Sequence, residues 1–296
     1  MTKNNPLVSV ILPTFNRAYC IERSIKSVIN QTYQNWELVI IDNYSSDNTE
    51  EKTKNFKNYK IKYFKFKNDG IIAKSRNYGL SKSKGNVIAF LDSDDWWVPK
   101  KIELEIKLIL KGFDFVYSDM YLNYAKKKGF RKRTRTRTLK KPIFSDLLIN
   151  GNAINNSSVI LKKSYITQIG GFTENKDFVT SEDFYLWLKI SKLTNNFIKS
   201  KQISGYLTIG GDNATSLKTT TNSMLTIYEY FKQDLIRLNM KPLGLWYTLS
   251  RSNYNNTRYK KSIFFAIKVL INSNNNDLRF KSIFTIISSI IRMILK

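Results

Sequence analysis

The chain contains no histidine and only one cysteine, Cys20, among its 296 residues. The absence of histidine excludes Ser-His-Asp triads, Cys-His dyads and zinc sites with imidazole ligands. A single cysteine excludes an internal disulfide, and its apolar neighbour Ile21 on a predicted helix favours a packing role over a nucleophilic one. Acid–base chemistry must therefore come from carboxylates, lysine or tyrosine.

Proline and glycine are scarce, at five and 12 residues, which is typical of a chain rich in helices and strands. No run of about 18 apolar residues occurs, so the sequence predicts no membrane-spanning helix. The apolar run in the N-terminal segment 1–13 is too short for a signal peptide, and we expect a cytoplasmic protein. Hydrophobic residues make up 42 % of the chain, enough for a large buried core.

Acidic residues are outnumbered, with 23 Asp and Glu against 49 Lys and Arg, a formal net charge of +26. Such a chain is expected to meet an anionic partner: nucleic acid, a membrane surface or phosphorylated small molecules. The dense basic run 126–141 predicts a mobile, solvated segment, because its like charges repel. The apolar segment 280–296 carries interspersed cations. It is expected to lie in a membrane interface or to pack as a core helix, and the net charge favours the membrane.

Strand and helix patterns alternate through the first hundred residues. Short apolar runs predict strands, and apolar residues at helical spacing predict the helices between them. The predicted strands are 7–12, 36–41, 61–66 and 87–91, and helices are predicted around 21–29 and 73–82. This alternation favours an α/β fold with a mostly parallel sheet, helices on both faces, and ligands beyond the carboxyl ends of the strands.

Three carboxylates, those of Asp92, Asp94 and Asp95, follow directly after the apolar run 87–91. Their mutual repulsion is costly unless a cation neutralises it. Mg²⁺ and Mn²⁺ favour carboxylate oxygens and commonly bridge to diphosphates, which makes the cluster a candidate metal site. The alternative is a solvated turn that caps the next helix, since Asp also favours turns.

Four other polar segments accompany this cluster. They are PTFNR at 13–17, DNYSSDNT at 42–49, AKSRNYG at 73–79 and SED at 181–183. Three of the segments lie at predicted strand ends, where they are expected to converge on one ligand.

In this order and spacing, VSVILPTFNR, VIIDNYSSDNT, KSRNYG, FLDSDDWW and GGF…SEDFYLWL resemble the inverting, metal-dependent glycosyltransferases of the GT-A fold that build bacterial surface polysaccharides. The resemblance covers residues 7–190 and fades in the C-terminal third. It implies a GT-A domain over 1–205, with a donor and metal half at about 1–98 and an acceptor half at about 99–205. A helical extension, 206–296, follows.

The resemblance implies transfer of one sugar from a nucleotide-diphosphate sugar, by family habit a UDP-sugar, to a glycan acceptor on a polyprenyl diphosphate. It places Pro13, Thr14, Asn16 and Arg17 along the nucleotide. The remaining implied donor-binding residues are Asp42 at the base edge, Arg76 at the base or diphosphate, Asp92 at the ribose or phosphates, and Ser93 beside it.

The same resemblance makes Asp94 the direct ligand of Mn²⁺ or Mg²⁺. Some family members add a downstream histidine ligand, and this chain has none. Its metal must therefore rely on Asp94, phosphate oxygens, water or another carboxylate, of which Asp95 is one candidate.

Asp183 matches the family's catalytic base, which takes the proton of the acceptor hydroxyl as that oxygen attacks the anomeric carbon. Its neighbour Glu182 is a further candidate, although a helix N-terminus also favours acids through its dipole. Trp96 at the site rim and Asp212 in a Gly-Gly-Asp-Asn loop complete the candidates, with buried packing and a plain turn as their alternatives. Trp187 is expected in the core.

Two other functions fit parts of the sequence. The basic balance suits a nucleic-acid-binding protein, but an acidic cluster at a sheet edge repels nucleic acid and no nucleic-acid motif is visible, so we expect no such partner. A sugar-nucleotide nucleotidyltransferase shares the fold and the metal carboxylates. The position after the first strand reads PTFNRAYC, however, without the glycine-rich phosphate loop of that class.

Overall fold

The computed structural model describes residues 5–124, 132–210 and 217–295. The strands in these ranges are β1 (Val8–Thr14), β2 (Trp36–Asp42), β3 (Ile61–Lys65), β4 (Val87–Phe90), β5 (Trp96–Trp97), β6 (Phe115–Tyr117), β7 (Tyr121–Tyr124), β8 (Ile160–Lys162), β9 (Phe197–Lys199) and β10 (Gly205–Ile209). The α-helices are α1 (Ile21–Ile29), α2 (Thr49–Lys54), α3 (Ile72–Lys82), α4 (Lys101–Leu110), α5 (Ile143–Asn150), α6 (Lys163–Gln168), α7 (Glu182–Ser191), α8 (Leu217–Tyr230), α9 (Lys232–Arg237), α10 (Leu243–Asn255), α11 (Tyr259–Asn272) and α12 (Asn276–Ile294).

A seven-stranded sheet with the order β3-β2-β1-β4-β8-β6-β9 forms the centre of the fold. Neighbouring strands pair in parallel except at β8, which runs antiparallel to both β4 and β6. The strands β1, β2 and β4 are buried throughout, as expected for parallel strands covered on both faces. The mostly parallel sheet predicted from the alternation of strands and helices is confirmed.

Alternate residues of the central strands face different helices. Val10 and Leu12 of β1 pack in one cluster with apolar residues of α1 and α4. Ile11 points to the other face, where α3 lies directly on the sheet. A Cβ added to Gly79 of α3 would meet Ile11 Cγ2 at 2.7 Å, so the close packing of this helix requires glycine.

Strand β1 extends two residues further than the predicted strand, which ends before Pro13. Beyond Ile11 the strand pairs with β2 on one side, whereas its pairing with β4 has ended. A proline is tolerated there because a backbone N–H is not needed on the open side.

A second, three-stranded sheet has the order β5-β10-β7 and was not predicted from the sequence. Residues 132–139 of the basic run are hydrogen-bonded along its edge and are exposed or half-buried, and the mobility expected of the run stays a prediction. Thr134 N donates to Met120 O and Leu122 N to Lys132 O, while Asp119 accepts both the backbone N–H and the hydroxyl of Thr136. These bonds outweigh the repulsion between like charges. Residues 126–131 of the run lie outside the described ranges.

The chain forms two compact units, and each is assembled from three separate segments of the sequence. The first contains Met1–Leu139, Ala153–Glu174 and Lys189–Asn213, with both sheets. The second contains Lys140–Asn152, Asn175–Leu188 and Ala214–Lys296. The boundary at 205 therefore stays a prediction.

The second unit has its own apolar cluster, in which Ile149 of α5 packs with Leu243, Val269 and Leu278 of the C-terminal helices. The helical character predicted for the C-terminal region is confirmed from Leu217 onward. None of the helices in the described ranges is both long and apolar enough to cross a membrane.

Candidate active site

The loops that follow β1 and β2 are joined by hydrogen bonds at the carboxyl edge of the sheet. Asn16 N donates to Ser45 Oγ at 2.8 Å, and Asn16 Oδ1 accepts from Ser46 N at 2.8 Å. Arg17 N donates to Thr49 Oγ1 at 2.8 Å. Asn16 adopts a left-handed backbone conformation with φ 50, which asparagine tolerates better than most residues. The two sequence segments thus form one continuous rim.

Asp42, the last residue of β2, is fully buried. One carboxylate oxygen accepts from Ser45 N at 2.9 Å and from Ser45 Oγ at 2.6 Å, and the other accepts from the Tyr63 hydroxyl. Burial, and secondarily this bond to Asp42, raises the pKa of Tyr63. A contact between Asp42 and a nucleobase therefore requires Ser45 or Tyr63 to move.

Two features of this rim are suited to ligand binding: a buried hydroxyl group and a cavity. Thr14 Oγ1 is buried and has no hydrogen-bond partner within the described residues, an arrangement that is costly unless a ligand or water completes it. A cavity of about 360 Å³ is lined by Asn43, Tyr44, Lys67 and Asp69, which follow β2 and β3. Pro13 itself is buried.

The turn after β4 is fixed by its backbone. Ser24 Oγ of α1 donates to Ser93 O at 2.8 Å and is also within 2.6 Å of Asp95 O. The Cys20 thiol donates to Ser93 O as well, and burial raises its pKa to about 11, in keeping with the predicted packing role. Ser93 is buried, so its contribution is to the shape of the turn.

Asp92 lies between two donors. Arg76 of α3, which is 4 % exposed, donates to Asp92 Oδ1 at 2.9 Å and lies 5.4 Å from the centre of the Phe172 ring. Asn156 Nδ2 approaches the same oxygen at 3.3 Å, and Ser157 Oγ accepts from Asp92 N at 3.0 Å. The side chain of Asp92 remains 30 % exposed. The structure thus joins two of the predicted donor-binding residues in one ion pair.

Asp95 is buried and plays a structural part. Its Oδ1 accepts from Thr208 N of β10 at 2.8 Å, and Ser157 donates a further bond. Burial, together with the charges of Asp92 and Asp94, raises the pKa of Asp95 well above its usual range. This carboxyl group therefore connects the acidic turn to the second sheet.

Asp94 is half-buried, and its backbone carbonyl is held from two sides. Arg23 donates to Asp94 O at 2.9 Å, and Thr208 Oγ1 donates to the same atom at 2.5 Å. The part of the chain that the structure describes contains no group of three or more acidic or cysteine residues arranged around a metal position. A cation at this turn would need oxygen ligands from outside the protein.

Trp96 is enclosed on both ring faces. The Arg23 guanidinium lies 3.6 Å from the ring centre, and Tyr206 stacks on the ring at 4.6 Å with an interplanar angle of 7°. Both are too close to share one face, so stacking on a sugar would require one of them to leave. Arg23 and Trp96 also line a cavity of about 460 Å³ beside the acidic turn.

Asp183 and Glu182 begin α7 and belong to the second unit. The preceding Thr180 has φ 77, a strained conformation for a β-branched residue. Ser181 and Thr180 contact Ser223 of α8 through their hydroxyls at 2.9 Å and 3.3 Å. Asp183 is half-buried and accepts from Phe184 N at 2.6 Å, whereas Glu182 is buried. Trp187 lies in the core as predicted.

Comparison with known proteins identifies the family to which this arrangement of loops, with the paired Arg76 and Asp92, belongs. A family model described as glycosyl transferase family 2 matches residues 9–167. The chain belongs to glycosyl transferase family 2. The resemblance predicted from the motifs is thereby confirmed, and the protein is a glycosyltransferase.

Among curated relatives, the chain is 35 % identical over 218 residues to Escherichia coli WfgD, named UDP-Glc:alpha-D-GlcNAc-diphosphoundecaprenol beta-1,3-glucosyltransferase. The alignment covers 72 % of this chain and 83 % of that protein.

Two solved structures share the fold. One is S. aureus TarS 1-349 in complex with UDP-GlcNAc, with a TM-score of 0.59 and 17 % identity over 95 % of this chain and 90 % of that one. The other is the mannosyltransferase PcManGT from Pyrobaculum calidifontis in complex with GDP-Man and Mn²⁺, with a TM-score of 0.57 and 13 % identity over 97 % and 86 %. These similarities confirm the predicted GT-A fold.

Several residues of the site were not predicted from the sequence. Arg23, Tyr63, Asn156, Ser157 and Thr208 all bind the predicted acids or their backbone. None belongs to a motif, because the packing of distant elements brings four of them to the acidic turn and brings Tyr63 to Asp42. Asp212, which was predicted from the Gly-Gly-Asp-Asn loop, lies outside the described residues.

Proposed function

We propose that the protein transfers a single sugar from a nucleotide-diphosphate sugar, with inversion at the anomeric carbon, onto a glycan linked to a polyprenyl diphosphate. The observation that carries the proposal is the meeting of the β1 and β2 loops, Arg76 and the acidic turn at one sheet edge. The activity named for the relative WfgD supports a UDP-sugar donor and a lipid-linked acceptor. TarS, which is solved with UDP-GlcNAc, supports the same class of donor.

The donor's nucleotide is proposed to lie along Pro13, Thr14, Asn16 and Arg17. The buried hydroxyl of Thr14 supports this placement, since a ligand would supply its missing partner. The base would occupy the cavity of about 360 Å³ at the ends of β2 and β3, next to Asp42, a volume within the usual range for small-molecule sites.

Arg76 and Asp92 would orient the ribose and diphosphate. The guanidinium of Arg76 is held by Asp92 and by the Phe172 ring, so its direction is set before the donor arrives. A cation fixed in this way stabilises diphosphate charge without reorganising during the reaction.

The acidic turn suits a divalent cation that takes most of its ligands from the donor. Asp92 and Asp94 supply hard carboxylate oxygens, the type that Mn²⁺ and Mg²⁺ prefer, while Asp95 is committed to Thr208. Asp94 would hold the ion, with Asp92 beside the phosphates. When bound, the ion would neutralise charge on the departing nucleoside diphosphate.

Asp183 is proposed as the base that accepts the proton of the acceptor hydroxyl. Its placement at the start of α7 supports this role, because the helix fixes the direction of the carboxylate and the Thr180–Ser223 and Ser181–Ser223 contacts fix the start of the helix. Glu182, the preceding residue, is buried. We place the reaction at the inner face of the cytoplasmic membrane, in keeping with a lipid-linked acceptor.

The test is a screen of UDP- and GDP-sugars with Mn²⁺ and a synthetic GlcNAc-diphospho-lipid acceptor. The expected products are a nucleoside diphosphate and a glycan of inverted anomeric configuration, with turnover abolished by chelation. Release of inorganic pyrophosphate instead would indicate a nucleotidyltransferase. A retained anomeric configuration would refute the role given to Asp183, and no turnover of any donor would refute the proposal.

A further inference from the structure

The last two helices of the second unit expose their apolar side chains. On α11, Phe264 and Ile271 face outward, and Ile271 is 75 % exposed. On α12 the outward apolar residues are Phe280, Ile283, Phe284, Ile287, Ile291 and Ile294, and Ile290 and Met293 are exposed as well. Phe280 and Ile294 are 72 % and 77 % exposed. An apolar stripe of this length is unusual on the open surface of a protein that works in water.

Apart from Leu278 near its start, the buried residues of α12 are small and polar. Ser282, Thr285 and Ser289 are buried, and Ser289 Oγ donates to Ser262 Oγ of α11 at 3.3 Å. Ser262 Oγ in turn donates to Ser250 O of α10, and Ser250 Oγ to Ser262 O, both at 2.9 Å. The three helices are therefore joined by a seam of serine and threonine, beside the small apolar cluster that contains Val269 and Leu278.

This arrangement inverts the usual amphipathic helix of a water-soluble domain, which buries its apolar stripe and exposes its polar side. Close packing through small residues with apolar side chains outward is the pattern of helices surrounded by lipid. In water, the apolar stripe of such a helix stays hydrated and does not contribute the favourable free energy of burying apolar surface.

We propose that α11 and α12 bind an anionic lipid bilayer, with α12 lying in the interface and its apolar stripe among the acyl chains. At 3.6 residues per turn, the six residues of α12 from Phe280 to Ile294 that are named first above fall within about 100° of its circumference. Lys281 and Arg292 flank one edge of this arc and Arg279 flanks the other, all three exposed. Cations at both edges reach the headgroups while the apolar arc is submerged.

Charge decides between a bilayer and a second copy of the chain as the partner. Residues 243–294 contain eight Lys and Arg and one acid, Asp277. Two copies meeting through this surface would bring like charges together, which is unfavourable, whereas anionic headgroups attract each of them. The surface thus complements a lipid leaflet. The proposal stands independently of which sugar is transferred.

The experiment is co-sedimentation of the full-length protein with vesicles of phosphatidylglycerol and phosphatidylcholine, and with phosphatidylcholine alone. We expect binding to the anionic vesicles that weakens with salt. The triple variant Phe284→Ser, Ile287→Ser and Ile291→Ser should lower the partition coefficient by about 100-fold or more, because three apolar side chains no longer leave water. Arg279→Gln with Arg292→Gln should lower it by about fivefold for each cation removed.

A matched control carries Leu225→Ser, Ile236→Ser and Met240→Ser, which replace exposed apolar residues on and next to α8 and α9. It should bind vesicles as the unchanged protein does. All variants should keep the melting temperature of the unchanged chain, since every replaced side chain is exposed.

A second measurement avoids disruptive changes. An environment-sensitive fluorophore is attached at Ile287→Cys in a Cys20→Ser background, which leaves one cysteine to label. Its emission should shift to the blue on anionic vesicles, whereas the same label at exposed Lys57→Cys should not shift.

Failure of the unchanged protein to bind anionic vesicles, or equal binding by the apolar triple variant, overturns the proposal. A dimer in analytical ultracentrifugation that the triple variant abolishes assigns the surface to a second copy instead.

Discussion

The three acids after β4 have different surroundings, although all of them lie within four consecutive residues. Asp92 is paired with Arg76, and Asp95 is buried against the backbone of β10. Asp94 is half-buried, and its carbonyl oxygen accepts hydrogen bonds from two side chains. The three acids are therefore not interchangeable.

Asp94→Ala is expected to lower the transfer rate by about 10²- to 10³-fold, because the departing diphosphate loses electrostatic stabilisation. Donor affinity measured by calorimetry in the presence of Mn²⁺ should fall as well, with an unchanged melting temperature. Glu51→Ala, at an exposed acid on α2, is the control and should retain both. Full donor affinity in Asp94→Ala would contradict the metal-ligand role.

Asp183→Asn is expected to lower the transfer rate by about 10²- to 10⁴-fold, the usual contribution of a general base. Donor affinity should survive, since the donor is proposed to bind elsewhere, and this separates the variant from Asp94→Ala. Asp177→Asn, at an exposed acid shortly before α7, is the matched control for rate and affinity. A rate close to that of the unchanged enzyme would show that another group accepts the proton.

At the scale of elements, helix α4 contrasts a buried ion pair with an exposed one. Lys101 and Glu105 are buried and bonded to each other, and Ser118 Oγ donates to Glu105 at 3.1 Å. Burial lowers the pKa of Lys101 and raises that of Glu105. Lys107 and Glu103 form a similar pair in solvent.

Glu105→Gln is expected to destabilise the fold by about 3–5 kcal/mol, because Lys101 is left as a buried charge without its counter-ion. The double variant Lys101→Met with Glu105→Leu should lose less, since no charge is then buried. Glu103→Gln is the control on the same helix and should change the urea midpoint little. Equal losses in the single and double variants would refute an electrostatic cause.

Asp119 accepts two hydrogen bonds from Thr136 in the segment 132–139. Burial opposes the ionisation of Asp119, but bonds from Thr136 and from Lys199 outweigh it and lower its pKa. Because the folded-state pKa lies below the unfolded value of about 4, this stabilisation is present above that pH and is lost as pH falls through the folded pKa.

Asp119→Asn should therefore lower the free energy of unfolding near neutral pH, because the Lys199 pair is lost. The difference from the unchanged protein should shrink between about pH 5 and about pH 2. Urea unfolding at a series of pH values measures this. Asp277→Asn, at an exposed acid on α12, serves as the control. A difference that is independent of pH would mean that the charge of Asp119 has no part in holding the segment.

At the scale of the whole molecule, the second unit combines segments from the middle of the chain with the C-terminal helices, and this limits which parts can be deleted. Phe144 of α5 packs with Phe231, and Tyr185 of α7 packs with Tyr230. Ile149 packs with three residues of the C-terminal helices. Segments from the middle of the chain thus depend on the last third for their burial.

A fragment of residues 1–205, the GT-A domain predicted from the sequence, is expected to misfold or aggregate, because α5 and the start of α7 would expose apolar surface. Soluble yield and a thermal melt followed by circular dichroism test this. The full-length triple variant at Phe284, Ile287 and Ile291, which leaves that packing intact, is the control. A soluble fragment with a cooperative melt would establish 205 as a domain boundary.

The sequence by itself determined the sheet and the location of the acidic turn. Helical and strand periodicities are local properties, and the polar residues after β1, β2 and β4 must meet because parallel strands end at one edge. The lack of histidine likewise fixed the kinds of side chain available for chemistry. The motifs, read in order, were enough to identify the family.

Tertiary structure alone decided which acids are committed to other residues. Asp42 is satisfied by Ser45 and Tyr63, and Asp95 by Thr208, which lies 113 residues further along the chain. The bonds from Tyr63 and Thr208 have no signature in local patterns, since they depend on how distant elements pack. The inverted seam of α10 to α12 is of the same kind: the sequence gives an amphipathic helix, but only packing decides which face is covered.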